Sequence, residues 1–355
     1  MPFHPLATFG SAKRSVPYVP LPPIVTGNGV VWGAATTPLP SAGTKESNAQ
    51  AFTNHEANVG TIGIYRTYSV GQWPATWAAM TDGALYGTWQ TRWSWCSFKP
   101  DVTLMGNGSL NTSLAAFIDS IPVTKYPRLF TYFHEPGDNF TTTAARISWK
   151  RAAFQFGKTI QAAKRPDILV GPIFTSGSTV ANDTLLMDSD PTIDINSVSD
   201  FCGYDPYHER SRKGFADCWT TPYLGAAGLT KYMTPCLNFR DKYFPGKPFA
   251  IGEHGACNDE KTPVGQRRSD WLAAMENWSQ TAANNVLAVC YYDATAGAGT
   301  MPNWVRINSL DHTPVASSPI PGEALLNMNK TYPDDPTSRA ALGAIYARNP
   351  AYPLP

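Results

Sequence analysis

Two stretches, Arg128-Leu-Phe-Thr-Tyr-Phe-His134-Glu135-Pro136 and Pro248-Phe-Ala-Ile-Gly252-Glu253-His254-Gly255, decide how this chain folds. Each is a run of apolar and aromatic residues with strand composition, and each ends on a glutamate beside a histidine. A carboxylate closing a buried strand is costly unless solvent or a partner reaches it. Both glutamates are therefore expected at strand ends that open on water, and the question is whether those ends lie on one face.

Working outward, strand-like and helix-like runs alternate from Val30 onward. The strands are expected at Val30–Ala34, Thr61–Tyr68, Leu85–Trp95, Arg128–His134, Ile168–Phe174, Val198–Asp205, Phe249–Glu253 and Val286–Tyr292. Helices are expected near Lys45–Asn58, Pro74–Met80, Leu110–Ile121, Ala144–Ala163, Thr230–Tyr243, Gln266–Asn284 and Thr337–Ala347, with a weak one near Thr179–Asp188. Eight strands alternating with helices predict an α/β protein of the (β/α)8 TIM-barrel type, a single domain over 29–355. No Gly-x-Gly-x-x-Gly turn and no Gly-x-x-x-x-Gly-Lys-Ser/Thr loop supports a nucleotide-binding sheet instead. Glu135 then closes the fourth strand and Glu253 the seventh, and barrel strands end on a common face.

Composition agrees and narrows the function. The 355 residues are 43% hydrophobic and only 15% charged, enough for a sizeable core. The net charge of +1 argues against nucleic acid or an anionic membrane as partner. No apolar run is long enough to span a bilayer. Aromatic residues reach 12%, which suits either core packing or stacking against sugar rings. Six cysteines show no Cys-x-x-Cys pair and no Cys/His ligand spacing, so neither a metal nor another cofactor is expected. Cys202 and Cys290 fall in apolar strands and read as buried thiols; one disulfide among Cys218, Cys236 and Cys257 stays open.

Two carboxylates facing each other across a barrel mouth are what hydrolysis of a glycosidic bond needs. Three phrases sharpen this. Phe133-His134-Glu135 resembles the Phe-His-Glu of the clan A retaining glycoside hydrolases of family 26, which include β-mannanases. Ile251-Gly252-Glu253-His254-Gly255 is similar to that family's Ile-Gly-Glu-Phe-Gly around the nucleophile, and Cys202-Gly203-Tyr204-Asp205-Pro206-Tyr207 to its Gly-x-Asp-x-Tyr. The resemblance implies a retaining hydrolase of a polysaccharide or oligosaccharide, with Glu135 as acid/base and Glu253 as nucleophile. One departure is that Pro136-Gly137-Asp138-Asn139 follows the first glutamate where the family has Met-Asn-Gly and a tryptophan. That stretch shapes the sugar sites, so the resemblance carries the chemistry and not the mannan specificity.

The supporting residues follow from those roles. A nucleophilic Glu253 needs hydrogen-bond donors; Tyr207 or Tyr204 is the candidate from the sixth strand and Arg66 the charged one from the second. Strand alternation turns His134 and His254 away from their neighbouring glutamates, so hydrogen-bonding support suits His134 better than proton transfer. Trp73, Trp93, Trp95 and Trp304 are candidate sugar platforms at strand ends or in loops, and Asp293 after the eighth strand is a candidate for a sugar hydroxyl. The competing reading is a catalytically inactive carbohydrate-binding or structural virion barrel, which would have no need of both glutamates.

Residues 1–28 contain Pro17-Tyr-Val-Pro20-Leu-Pro22-Pro23, which sustains neither helix nor central strand and predicts an extended Pro-rich arm suited to docking on a larger assembly. The start of the chain lacks the basic and apolar pattern of a signal peptide. A polysaccharide substrate without a leader leads to the expectation of an extracellular or virion-associated protein, such as a phage tail enzyme acting on a bacterial envelope glycan.

Overall fold

A computed structural model describes residues 29–36, 52–53, 55–57, 59–69, 71–80, 91–175, 180–208, 226–256, 266–293 and 336–353. The arm over 1–28 and Trp304 lie outside these residues. The strands are β1 (Val31–Thr36), β2 (Ile64–Ser69), β3 (Trp93–Phe98), β4 (Arg128–Tyr132), β5 (Ile168–Val170), β6 (Ile173–Thr175), β7 (Cys202–Asp205), β8 (Tyr207–His208), β9 (Phe249–Ala256) and β10 (Val286–Asp293). Nine of them pair in the order β5-β4-β3-β2-β1-β10-β9-β7-β6, and every pairing is parallel. The short β8 adds to β9 alone.

The ring closes because β5 and β6 are two halves of one barrel strand. Pro172 cannot donate to a ladder, so the expected single strand Ile168–Phe174 is interrupted at Gly171–Pro172. The pairing survives the break: the Gly171 amide donates to Phe130 O (3.0 Å) on one side, and Pro172 O accepts from the Gly203 amide (2.8 Å) on the other. Eight barrel positions result, as the alternation of elements predicts. The differences are at the edges: of the expected strand Leu85–Trp95, residues 85–90 lie outside the described ones and β3 runs from Trp93 on to Phe98, and Asn196–Val198 is a 3-10 turn before β7 rather than part of it.

Side chains alternate across the sheet with a period of two. On β3, Trp93 and Trp95 face the interior while Cys96 and Phe98 face the helices. The interior is an apolar cluster including Val31, Ile64, Leu129, Leu169, Ile173 and Phe201. The larger outer core lies under helices such as Thr143–Ala162, whose Trp149, Phe156 and Ile160 are buried. At about 25 cal/mol per Å², burial of such large side chains is the main force holding sheet to helices. The end of the barrel at the strand starts is plugged: Trp93 Nε1 donates to Tyr352 O at 2.7 Å, and the two rings meet edge to face. The end at the strand finishes carries the polar residues described next. No helix among the described residues is long and apolar enough to cross a membrane.

Candidate active site

Arg66 is the pivot of the mouth. It follows Ile64 on the inward face of β2 and is wholly buried. A guanidinium taken out of water is tolerated only when paired and hydrogen-bonded. Its Nη1 and Nη2 donate to the two oxygens of Asp205 at 3.0 and 3.4 Å, and Nη2 lies 3.4 Å from Glu253 Oε1. The flat cation also lies over the rings of Tyr68 (4.9 Å) and Trp95 (5.1 Å), the geometry of cation–π contact. Trp95 is itself pinned through Nε1 to Thr131 Oγ1 at 2.9 Å. The tryptophan therefore forms the floor on which the charged cluster rests.

Glu253 reaches this cluster through an irregularity in β9. Partnering with β10 jumps from Val289↔Ile251 to Tyr291↔His254, so β9 holds one extra residue there. Such a bulge breaks the alternation and re-aims a side chain. Gly252 and Glu253 both turn inward as a result, and His254 turns out to pack edge-on against Trp32 and Tyr291. Gly252 has no alternative, because a Cβ there would lie 1.9 Å from Arg66 Nη1. Glu253 Oε1 accepts a hydrogen bond from the Tyr68 hydroxyl as well as the contact from Arg66.

Glu135 stands at the end of β4 in strained backbone. Phe133 (φ 46°) and Glu135 (φ 55°, ψ 51°) both occupy the left-handed region, which costs a non-glycine residue on the order of 1–3 kcal/mol. Backbone bonds hold them there: Phe133 N donates to Phe98 O at 2.7 Å, and Glu135 N to Ile173 O at 2.9 Å. Asn139 Nδ2 donates to the Glu135 carbonyl at 2.8 Å and closes the turn. The chain thereby leaves β4 toward β6, with Glu135 close enough to the mouth to act on the charges there. Between the two strained residues, His134 lies edge-on to Tyr68, with ring centroids 5.2 Å apart.

The electrostatics tie these groups into one field. Glu135 and Glu253 both act on Asp205, on Lys99 after β3, and on Tyr292 at the end of β10. Burial raises the Asp205 carboxyl well above the usual range; Arg66 opposes the shift, and the two glutamates add to it. Burial works against the Arg66 charge, yet Asp205, Tyr68 and Glu253 hold its pKa well above the ordinary value. Loss of water around the Tyr68 hydroxyl raises its pKa, so it stays a donor toward Glu253. Burial, helped by Arg66 and Lys99, depresses His134 to about 2, which keeps the imidazole neutral. Among the described residues no group of three or more His, Cys, Asp or Glu is placed to hold a metal ion.

Of the residues singled out from the sequence, the structure brings Glu135, Glu253, Arg66 and His134 to one mouth. Trp95 lies beneath it, buried, rather than offering a sugar platform. Trp73 packs against Phe98 and Phe156 in the outer core. Tyr204 also points outward: period two puts Asp205 in the barrel and Tyr204 among Phe174, Phe239 and Phe249. His254 is fully buried in the outer layer, where its Nδ1 accepts from Trp271 Nε1 at 3.2 Å. Tyr207 pairs by its backbone with Gly255 and Asp293 ends β10, but their side chains lie outside the described set, as does all of Trp304. Cys236 is buried on the helix Ala226–Tyr243, and Cys218 and Cys257 lie outside the described residues. Sequence reasoning missed Tyr68, Asp205, Lys99 and Tyr292. Tyr68 and Asp205 were within reach, since each shares a strand face with a residue already recognised as inward.

No protein-family model matches the chain, and no curated protein is detectably similar to it in sequence. In structure it is similar to a broad-specificity endoglucanase of glycoside hydrolase family 5 from Clostridium acetobutylicum. The identity is 12% and the TM-score 0.55, over 89% of this chain and 97% of that one. A family 26 β-mannanase from Bacteroides ovatus is also similar, at 12% identity and a TM-score of 0.49, over 92% and 90% of the two chains. The chain thus shares the (β/α)8 fold of the endoglucanase.

Proposed function

We propose that the protein is a retaining glycoside hydrolase acting on a polysaccharide by double displacement. The observation that carries this reading is the pair of donors, Tyr68 and Arg66, converging on Glu253 Oε1 in the same mouth as Glu135. Donors to a carboxylate favour its ionised form, which a nucleophile must keep. In the first step Glu253 attacks the anomeric carbon while Glu135 gives its proton to the leaving glycosidic oxygen. In the second, Glu135 takes a proton from water, whose oxygen attacks the anomeric carbon and frees Glu253. Asp205 would hold Arg66 against Glu253, and Trp95 would keep the guanidinium level. The barrel similarity to an endoglucanase agrees with a carbohydrate substrate, although fold alone assigns no activity.

Proton NMR of the first products from a panel of cell-wall glycans tests the proposal: the anomeric configuration is expected to be retained. On substrates with a good leaving group, Glu135→Ala is expected to be partly rescued by azide and Glu253→Ala to lose turnover far more completely. Inverted products would refute the double displacement. Glycan binding without turnover in the wild type would leave a binding protein instead.

A further inference from the structure

Resting on the hydrolase reading, the charges in the mouth point to the kind of sugar it takes. Arg66 is committed to Asp205 and Glu253, and burial keeps His134 neutral. Lys99 is different. It follows β3 directly, its backbone amide fixed to Gly71 O at 3.0 Å, and its half-buried side chain rests with Nζ 5.0 Å from the centre of the Phe133 ring. Among the described residues it makes no hydrogen bond or ion pair through Nζ, although Glu135 and Glu253 are close enough to act on its charge. Burial without a bonded anion lowers its pKa, the cost of keeping an ammonium there.

An anionic sugar entering this mouth would meet Glu253, ionised as the nucleophile, while Asp205 already shares the single charge of Arg66, and it would be repelled unless a further cation offset that charge. Lys99 is a cation close enough for Glu135 and Glu253 to act on it, and among the described residues it is bound to no carboxylate of the site. Phe133 holds its charged end by cation–π attraction, which orients an ammonium without satisfying its hydrogen-bond donors. Those donors are left for a ligand beside the acid glutamate. We propose that Lys99 is a specificity residue that binds an acidic substituent of the glycan, a uronic-acid carboxylate or a sugar-borne sulfate or phosphate, in the subsite next to Glu135.

The test is an array of acidic and neutral bacterial envelope oligosaccharides, in which each uronic-acid member is paired with its carboxyl-reduced form and sulfated and phosphorylated members are included. Binding and kcat/KM are measured for the wild type and for Lys99→Met. The wild type is expected to prefer at least one acidic member over its neutral counterpart by about tenfold or more, and Lys99→Met to erase that preference. The members preferred show which anion is recognised. Preference for no acidic member, or a preference that survives Lys99→Met, overturns the proposal. A shift in the pH profile of Lys99→Met with no change in preference also overturns it, making Lys99 a partner of Glu135 instead. Failure of the hydrolase reading is distinct: no member would be cleaved, while the binding measurements would still decide the role of Lys99.

Discussion

Replacing Gly252 by alanine tests the bulge that aims Glu253. The new Cβ would lie 1.9 Å from Arg66 Nη1, 2.7 Å from its Cζ and 2.6 Å from Asp205 Oδ1. Ordinary non-bonded contact needs about 3.5 Å, so the guanidinium would have to retreat by roughly 1.5 Å. The 3.0 Å bond from Nη1 to Asp205 does not survive such a shift, and a wholly buried Arg66 has no solvent to move into. Overpacking alone costs about 1–3 kcal/mol. Losing a partner from a buried ion pair costs about 3–5 kcal/mol. Partial relaxation leaves an expected loss of about 2–4 kcal/mol, read from urea unfolding at pH 7 with an unchanged m-value. Turnover should fall with it, because the same shift withdraws Arg66 from Glu253. In an Arg66→Ala background the added methyl should cost less than half as much, since its main obstacle is gone. A Gly252→Ala loss below about 0.5 kcal/mol, or an equal loss in both backgrounds, would refute the packing argument.

Tyr68→Phe removes the hydroxyl that donates to Glu253 while keeping the ring beside His134 and Arg66. A hydrogen bond to a charged group contributes about 1.5–3 kcal/mol, so kcat should fall about 10- to 100-fold with little change in KM, and a loss under twofold would count against the assignment. His254 contributes to the pH dependence of stability, alongside His134: burial depresses the His254 pKa to about 3, against about 6.5 in the unfolded chain. The unfolded state therefore takes up the proton first, and stability is lost as pH falls from 6.5 toward 3. At pH 4.5 this amounts to roughly 2–3 kcal/mol, and His254→Phe should show a shallower fall over that window in urea titrations. An unchanged slope would show that the imidazole is reached by water.

Much of the architecture was legible in the order of residues. Strand-like runs at regular intervals, separated by helix-like ones, are enough to specify a parallel barrel, because each run must bury both faces. Glu135 and Glu253 could be placed at strand ends, and Arg66 in the second strand, by counting alone. The fifth strand was expected to run unbroken over Ile168–Phe174; its break at Pro172, and the hydrogen bonds that carry the ring across it, depend on β4 and β7.

What the order of residues left open is which side chains meet. Tyr207 and Tyr204 were the donors considered on paper; period two buries Tyr204 outside the barrel, and the donor that Glu253 meets through the bulge in β9 is Tyr68, which was not considered. That bulge is a mismatch in register between β9 and β10, a relation between two strands that neither one encodes separately. Trp95 reads as a sugar platform until the Arg66 guanidinium is seen lying over its ring. Composition and period act along the chain and determine the barrel. Register, bulges and the pairing of buried charges arise between distant segments, and only the folded structure decides them.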